Sequence, residues 1–320
     1  IPLVHSIMSM KLTGTVAVLT TTNMEALTIV GLLQKNGLPS SLVQSNDGFS
    51  LSRLAEIDYF MYVAGFKNDS HIIDDDDWIR AKRMMFDRYA GSDKLYLCDN
   101  LFRAFESANR KFKYKSDFEI FLEESGLEDF SIADTSAIHV STIHKVKGKE
   151  FDNVFLLLDN FSPTSDASLR QLYVAITRAK ENLYIHLNGT FLDTIIAEGI
   201  ESVFDGTIYG RPGSVSLNAS MKDVWLDDFV FRQNPVSNLR SGGELYVKDG
   251  KICDKNGKEV VKLSSAMSDK VNSLLAQGYI MSGAEVNFIV KWWMKSLKKD
   301  ILVLLPILHF SLQDSNDPIL

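Results

Sequence analysis

"SAIHVSTIHKVKGKEFDNVFLLLD", residues 136–159, places a polar loop between two apolar runs. Apolar and β-branched residues dominate 136–144 and 153–159, and short runs of this kind predict buried strands. Three lysines, a histidine, a glycine and a glutamate fill the loop. The stretch therefore predicts two strands of a buried sheet, joined by a segment rich in chemically active side chains.

A strand–helix–strand pattern near the start of the sequence extends this sheet. "TVAVLT" (15–20) predicts a buried strand, and Asn23 is the expected N-cap of a helix that Gly37 ends. "SSLVQ" (40–44) and "NLYIHL" (182–187) predict further strands. Such βαβ units favour a parallel sheet with right-handed crossovers.

Residues from about 50 to 130 show helical rather than strand periodicity. Apolar residues recur at three-to-four spacing in four segments, 51–65, 75–91, 93–112 and 117–126. Ser116 and Glu119 predict a capping box at the start of the last segment. We expect an all-helical insertion into the α/β sheet.

After about residue 205 the βα rhythm is lost and Gly, Asn and Ser become more frequent. Asp249-Gly250 and Asn256-Gly257 predict hairpin turns. A helix at 268–278 and strands at 285–293 and 300–310 complete a small β-rich, barrel-like domain. Trp292 and Trp293 are adjacent, so one faces inward and the other outward, where it suits either a protein partner or DNA.

These patterns predict an α/β protein of three parts. The expected parts are an α/β domain built from 1–45 and 131–205, the helical insertion 46–130, and the β-rich domain 206–320. The net charge of −7 argues against a generally basic nucleic-acid coat, although a local basic groove is compatible with it. The two cysteines form no CxxC pair, no apolar run is long enough for a membrane span, and no metal site is proposed.

The loop after the first strand carries candidate binding residues. Thr142 and His144 are expected at the carboxyl edge of the parallel sheet, where open α/β folds bind ligands. Gly148 permits close approach of an anion. The lysines alternate, so one or two of them contact phosphates at most. An ordinary solvated loop is the other interpretation.

The helix expected at 167–181 carries two arginines. Arg170 and Arg178 are two turns apart and lie on roughly one face, with Tyr173, Val174 and Ile176 on the buried side. An arginine presented at the carboxyl edge of the sheet suits the terminal phosphate of a nucleotide. Surface arginines paired with carboxylates are the other interpretation.

Together the loop and the helix resemble motifs V and VI of superfamily I DNA helicases of the UvrD/Rep/PcrA group. The family patterns are close to T-x-H-x-x-K-G-x-E-F and R-x-L-Y-V-A-x-T-R-A. The first pattern is matched by Thr142, His144, Lys147, Gly148, Glu150 and Phe151. The second is matched by Arg170, Leu172, Tyr173, Val174, Ala175, Thr177, Arg178 and Ala179. The resemblance extends over roughly residues 12–190.

This resemblance implies a RecA-like 2A motor domain of the P-loop NTPase type, with the helical segment in place of the family's 2B insertion. It implies that Arg178 is the arginine finger that stabilises charge on the γ-phosphate. It also implies that Glu150 contacts the ribose, with Gly148 and Arg170 at the same nucleotide.

The resemblance further implies that Thr142, His144 and Lys147 contact single-stranded DNA, and Asn23, which matches the asparagine that follows the family strand, is a further candidate. "NRKFKYKSD" (109–117) adds Lys113 and Lys115, because basic residues interleaved with aromatics suit single-stranded DNA. A helix end with its aromatic residues in the core is the other interpretation of this segment.

Some positions depart from the family pattern. Thr20 and Thr21 stand where the family strand usually carries a Tyr-Arg pair, whose arginine also reaches the γ-phosphate. Lys149 and Gln171 replace common leucines of the two motifs. We therefore expect either an altered catalytic geometry or a weakened motor.

The sequence contains neither a G-x-x-x-x-G-K-[ST] loop nor an apolar strand ending in Asp-Glu. We expect a first motor domain (1A) in a longer parent protein, which would use ATP and Mg²⁺ on single-stranded or duplex DNA in the cytoplasm, for example in DNA repair. This chain alone is expected not to hydrolyse ATP. The alternative is a degenerate helicase half that serves as a DNA- or protein-binding scaffold.

Overall fold

The computed structural model of this protein describes residues 2–43, 46, 48–130, 137–146, 148–193, 195–196, 198–206 and 211–313. The chain divides into two compact units. The first contains residues 1–44 and 134–215, and the second contains 45–133 and 216–320. The helical and β-rich segments of the sequence thus share one unit, while the expected three-part division into domains stays a prediction.

Elements are numbered in chain order. Up to residue 130 they are α1 (Pro2–Ser9), β1 (Val16–Thr20), α2 (Asn23–Lys35), β2 (Ser40–Leu42), α3 (Ala55–Val63), β3 (Ile72–Ile73), α4 (Asp75–Arg88), α5 (Leu95–Ala108), β4 (Lys113–Tyr114), α6 (Lys115–Glu124) and α7 (Leu127–Phe130). Then follow β5 (Ile138–Thr142), β6 (Phe151–Leu158), α8 (Asp166–Ile176), β7 (Ala179–Leu187), β8 (Ser214–Asn218), α9 (Gln233–Ser237), β9 (Glu244–Lys248), β10 (Lys251–Cys253), β11 (Glu259–Val261), α10 (Ser265–Ala276), β12 (Tyr279–Met294) and β13 (Lys299–Leu312). None of the helices in the described ranges has the length and apolar character needed to cross a bilayer.

The first unit is built on a five-stranded sheet in the order β2-β5-β1-β6-β7. Its four strand pairings are all parallel. Every residue of β1 and β5 is buried, as expected for strands covered on both faces. Val18 and Val140 pack against Ile29 of α2 and Leu3 of α1 on one face. The predicted parallel α/β sheet is confirmed.

The N-terminus of α2 differs from the sequence prediction. The N-cap is Thr22, whose hydroxyl accepts a hydrogen bond from the Glu25 amide at 3.2 Å, so the prediction of Asn23 is wrong. Glu25 returns a bond to the Thr22 amide at 3.0 Å, which completes a capping box. Asn23 is the first residue of the helix, and its side chain accepts a hydrogen bond from another segment instead of capping the helix.

The helical part of the second unit has an aromatic core centred on Trp78. The ring centroids of Phe60, Phe118 and Phe105 lie 4.8, 5.3 and 5.5 Å from that of Trp78. The indole N–H of Trp78 donates to Glu106 at 2.7 Å, so the buried polar atom has a partner. Helices α3, α4, α5 and α6 each contribute aromatic side chains to this cluster. The three-to-four spacing of apolar residues in the sequence predicted these buried helix faces.

Two local expectations for this segment are wrong. The insertion is not all-helical, because β3 and β4 pair as a short antiparallel ribbon. Ser116 is not an N-cap either, because α6 already begins at Lys115 and its N-cap, Tyr114, makes no side-chain capping bond. Tyr114 pairs with Ile72 in the ribbon, and this long-range pairing sets the helix start.

The β-rich part of the second unit is a six-stranded sheet in the order β11-β10-β9-β12-β13-β8. The pairings from β11 through β13 are antiparallel. The predicted turn at Asp249-Gly250 is confirmed, since both residues have positive φ angles of 50° and 71°. Trp293 is 48% exposed while Trp292 is half-buried, as the alternation along β12 predicts.

A buried carboxyl group, Glu56 of α3, connects the helical and β-rich parts within this unit. It is 1% exposed, and its Oε1 accepts hydrogen bonds from the hydroxyls of Ser92 at 2.7 Å and Ser241 at 3.4 Å. Its Oε2 has no hydrogen-bond partner among the described residues. Burial raises the pKa of Glu56, with smaller opposite effects from the Ser92 bond and the charge of Lys94. The site thus favours the neutral acid.

We expect Glu56→Gln to remove a pH dependence of stability. Because the folded pKa of Glu56 lies above its ordinary value of 4.5, the folded state retains a proton that the unfolded state loses. The free energy of unfolding of the wild type should therefore fall as the pH rises above 4.5, by at most about 1.4 kcal/mol per pH unit. Glu56→Gln should show a flatter profile.

Urea unfolding followed by tryptophan fluorescence measures this, because all four tryptophans (Trp78, Trp225, Trp292 and Trp293) lie in the second unit. The exposed Glu123 supplies the matched control, and Glu123→Gln should leave the pH profile unchanged. A Glu56→Gln profile identical to the wild-type profile between pH 5 and 8 would contradict the prediction.

Candidate functional site

The strand register fixes where the candidate residues lie on the first unit. Thr142 is level with Thr20 of β1, and Asn153 of β6 is level with Val16. Since β5 and β6 both run parallel to β1, the chain between them returns across roughly 13 Å of sheet. Residues 143–150 make this return, so the segment begins at the carboxyl edge and ends at the amino edge.

At the carboxyl edge, the end of β5 lies close to the start of α2. Thr142 is buried at 7% exposure, while His144 is exposed on a 3₁₀ helix, Ile143–Val146, rather than on the strand as expected. The Lys145 amine donates to Asn23 Oδ1 at 3.1 Å. The structure thus brings together Thr142, His144 and Asn23, three of the residues that the sequence predicted to contact DNA.

Glu25 is a carboxyl-edge residue that the motif comparison missed. Its Oε2 accepts from the amide and hydroxyl of Thr21 at 3.1 and 2.9 Å and from the Thr22 amide at 3.0 Å. The Thr20 hydroxyl, fully buried, donates to the Thr22 carbonyl at 2.9 Å. Thr20 and Thr21, which depart from the family pattern, therefore use their hydroxyls for hydrogen bonds within the turn between β1 and α2. The T-x-x-E spacing from Thr22 to Glu25 is the sequence signal that predicts this capping box.

Between the two edges the segment turns at Gly148. Its φ angle of +80° lies in the left-handed region, and a Cβ built there would meet no atom within 4 Å. Glycine is therefore favoured by backbone conformation and not by lack of space. Lys147, predicted to contact DNA, lies outside the described residues.

At the amino edge, Arg178 holds the end of α8 to the segment before β6. Its Nη1 donates to the Lys149 carbonyl at 3.0 Å, and its Nε donates to the Val174 carbonyl at 2.9 Å. Its own carbonyl accepts from the Phe151 amide at 2.8 Å. Glu150 next to it is exposed and has no hydrogen-bond partner among the described residues. The two predicted nucleotide contacts, Arg178 and Glu150, are thus neighbours.

The expectation that Arg178 lies at the carboxyl edge is wrong. A crossover helix runs antiparallel to the strands of its sheet, so the C-terminal end of α8 lies at the edge where β7 begins. Arg170, in the middle of α8, is 80% exposed and lies 3.9 Å from Asp166. The sequence placed both arginines on one helix face but did not separate the two ends of the helix.

The exposed face of α8 also differs from the expectation. Leu172 and Ala175 are the buried residues, whereas Tyr173 and Ile176 are 69% and 36% exposed, so their assignment to the buried side is wrong. Leu169, 51% exposed, lies one turn before Tyr173. The three side chains form an apolar stripe on the helix surface, because their spacing is four and three residues.

A second unpredicted group, Asp152, lies at the amino edge beside Glu150. Its Oδ2 accepts from the amide and hydroxyl of Thr15 at 2.7 and 2.8 Å, and these bonds lower the pKa of Asp152. A Cβ at Gly14, which has a φ of +80°, would lie 2.4 Å from that oxygen. The carboxylate therefore fixes the entry into β1, a contact across 137 residues that no local motif signals.

Lys113 and Lys115, the two candidates in the second unit, are both buried at 8% and 9% exposure. The Lys113 amine pairs with Asp75 at 2.5 Å, and the Lys115 amine donates to the carbonyls of Gly65 and Asn68 at 2.6 and 2.9 Å. Both amines thus have structural partners inside the unit. A DNA contact by either lysine stays a prediction. The described residues contain no cluster of His, Cys, Asp or Glu able to hold a metal ion.

The fold and site define an α/β protein whose sheet carries two groups of polar residues at opposite edges. Residues 77–190 match the family model of the UvrD-like helicase C-terminal domain. The chain thus carries a UvrD-like helicase C-terminal domain over these residues, which confirms the resemblance found from the two motifs. The match begins in α4 and ends after β7, so it does not extend to β1 and α2. A comparison with curated proteins gave no match.

We expect Gly148→Ala to destabilise the first unit by about 1–2 kcal/mol, because alanine is strained at positive φ. Gly31→Ala is the matched control, since Gly31 lies in the middle of α2 with open space around its Cα. It should stabilise the same unit by about 0.5–1 kcal/mol. Hydrogen exchange of the amides in β1 and β6 measures both effects. Equal protection in the two variants would contradict the prediction.

Proposed function

We propose that this chain is the C-terminal motor half of an ATP-dependent DNA helicase. It would supply an arginine finger and single-stranded DNA contacts to an ATP-binding 1A motor domain outside this sequence, in the cytoplasm. The observation that carries the proposal is that residues of the two helicase motifs form two groups at opposite edges of one sheet. Thr142, His144 and Asn23 lie at one edge, and Glu150 and Arg178 lie at the other.

The amino-edge group suits a nucleotide held by another domain. Glu150 is exposed and free to accept hydrogen bonds from ribose hydroxyls. The Arg178 guanidinium donates to carbonyl and hydroxyl oxygens, and these neutral acceptors exchange for phosphate oxygens, which bind a guanidinium more strongly. Magnesium-bound ATP on the 1A domain would supply the phosphoanhydride bond. Arg178 would stabilise the negative charge that develops during its cleavage.

The carboxyl-edge group suits a DNA backbone. His144 and Asn23 are exposed polar side chains, and Lys145 and Lys147 add positive charge to the same segment. Such contacts to phosphates are independent of base sequence, which a translocating motor requires. Residues 143–150 join both groups directly. Closure around ATP at one end would therefore change the position of the DNA contacts at the other.

The apolar stripe of Leu169, Tyr173 and Ile176 supports a docked domain. Burying three such side chains against a partner is favourable by roughly 25 cal/mol for each Å² of apolar surface removed from water. The stripe runs along α8 from Leu169, next to Arg170, to Ile176, two residues before Arg178, so a domain bound to it would sit close to both arginines. We propose the 1A domain as that partner. The exposed Trp293 in the second unit is a candidate contact for a separate protein partner.

A specific observation favours a second candidate function. Thr20 and Thr21 occupy the positions of the family's Tyr-Arg pair, and both hydroxyls are bonded within the turn. No cation from this strand would reach a phosphate. The second candidate is therefore a degenerate helicase half, which binds DNA or protein without motor activity. ATP hydrolysis by the parent protein separates the two candidates.

Arg178→Lys in the parent protein tests the arginine finger. Lysine keeps the charge but loses the bidentate geometry, so kcat of DNA-stimulated ATP hydrolysis should fall by about 10³-fold or more. Affinity for single-stranded DNA should stay within twofold. Arg103→Lys, on an exposed i,i+4 pair of α5, is the control and should leave both quantities unchanged.

An unchanged kcat for Arg178→Lys in an active parent protein would overturn the arginine-finger assignment. A parent protein with an intact ATP-binding domain and no DNA-stimulated hydrolysis would support the scaffold function instead. Hydrolysis of ATP by the isolated chain would contradict the proposal that it contributes only half of the catalytic site.

A further inference from the structure

The β3–β4 ribbon of the second unit has two chemically different faces. Residues directly opposite each other in an antiparallel pair project to the same side. Ile73 and Lys113 face inward at 4% and 8% exposure. Their neighbours Ile72 and Tyr114 face outward, and each is 40% exposed. The ribbon thus presents apolar and aromatic groups to solvent and buries a lysine.

Phe112 extends the outward face. It precedes Tyr114 by two residues, which places both rings on the same side of an extended chain, and it is 58% exposed. The two ring centroids are 6.2 Å apart with an interplanar angle of 53°. Because both rings are exposed, planar groups can stack on them.

The buried face holds these rings in place. The Lys113 amine is 2.5 Å from Asp75 Oδ1 and 5.7 Å from the centre of the Trp78 ring. Lys115 donates to two backbone carbonyls in the turn after α3. The ribbon is therefore anchored to the aromatic core on both sides of Tyr114, and little conformational entropy remains to be lost when a ligand binds its outer face.

Positive charge lies immediately beside the rings. Arg110 and Lys111 are exposed, and neither forms an ion pair with any described residue. The charge of Lys113, by contrast, is offset by Asp75. Exposed aromatic rings flanked by uncompensated cations fit single-stranded nucleic acid, whose bases stack and whose phosphates need neutralisation. A purely apolar protein partner would leave these two cations unmatched.

We propose that Phe112, Tyr114 and Ile72, together with Arg110 and Lys111, form a binding surface for single-stranded nucleic acid, here called the ribbon face. The rings stack on one or two bases, and the two cations contact the adjacent phosphates. This surface lies in the second unit and does not depend on ATP, so it goes beyond the function proposed for the first unit. It also replaces Lys113 and Lys115 by their exposed neighbours as nucleic-acid contacts.

Fluorescence anisotropy of a labelled 20-nucleotide oligo-dT with the full chain tests the ribbon face. Phe112→Ala and Tyr114→Ala should each raise Kd by about fivefold or more, since stacking on one ring accounts for that much or more. Phe231→Ala is the matched control, because Phe231 is an exposed aromatic residue of the same unit, at 85% exposure. Its Kd should stay unchanged. Tryptophan fluorescence verifies that each variant is folded.

The cations and the rings make separable contributions. Replacing both Arg110 and Lys111 by Gln should reduce the slope of log K against log salt concentration by about 1.4, since single strands contribute roughly 0.7 per neutralised phosphate. A 20-base-pair duplex should compete poorly, because its bases are already stacked. Equal competition by the duplex, or unchanged Kd values for both ring variants, would overturn the proposal.

Photo-cross-linking of an oligonucleotide containing 5-iodouracil separates this proposal from the function of the first unit. Cross-links mapped by mass spectrometry to residues 110–114 support the ribbon face. Cross-links confined to residues 142–151 overturn it and leave the proposed DNA contacts of the first unit intact. Cross-links confined to residues 110–114 support the ribbon face and contradict the DNA contacts proposed for the first unit. The absence of cross-links in both segments contradicts both proposals.

Discussion

Parallel pairing of both β5 and β6 with β1 is the constraint on which the first unit depends. Two parallel strands cannot be joined by a tight turn, so the chain must return from one edge of the sheet to the other. Here the return takes only residues 143–150, with Gly148 at its turn. A short 3₁₀ helix, Ile143–Val146, forms the first half of this return. His144 and Glu150 thus lie only six residues apart in the chain, although they occupy opposite edges of the sheet.

Ionisable side chains hold distant segments of the chain together in both units. Asp152 is satisfied by two groups of Thr15, and Lys113 and Lys115 are satisfied by a carboxylate and by carbonyls. Glu56 differs from these groups, because burial raises its pKa and its Oε2 has no hydrogen-bond partner among the described residues. An unpaired charge would cost several kcal/mol in such surroundings, whereas a neutral acid costs much less. The protonation state of one side chain thus affects how firmly the helical and β-rich parts are joined.

The sequence predicted what depends on local periodicity and on dense motifs. The strands of the parallel sheet, the hairpin turn at Asp249-Gly250 and the helicase motifs all belong to this group. It did not predict features set by partners distant in the chain. Tyr114 ends a ribbon with Ile72 instead of preceding a capping box, and Lys113 turns inward to Asp75. Arg178 lies at the amino edge because α8 runs antiparallel to the strands. The spacing of residues along one helix does not reveal that direction.

The order of the strands also affects how the chain folds during synthesis. Thr20 of β1 contacts Ser141 of β5, 121 residues later in the chain. At 5–20 residues per second, β1 leaves the ribosome roughly 6–24 s before its first central neighbour exists. The hydrogen bond between Glu56 and Ser241 can form only later still, because Ser241 is synthesised 185 residues after Glu56. The Trp78 cluster, by contrast, closes within the helical segment. The side chains of this cluster are therefore all synthesised before β5, so the cluster can be completed earlier than the sheet of the first unit.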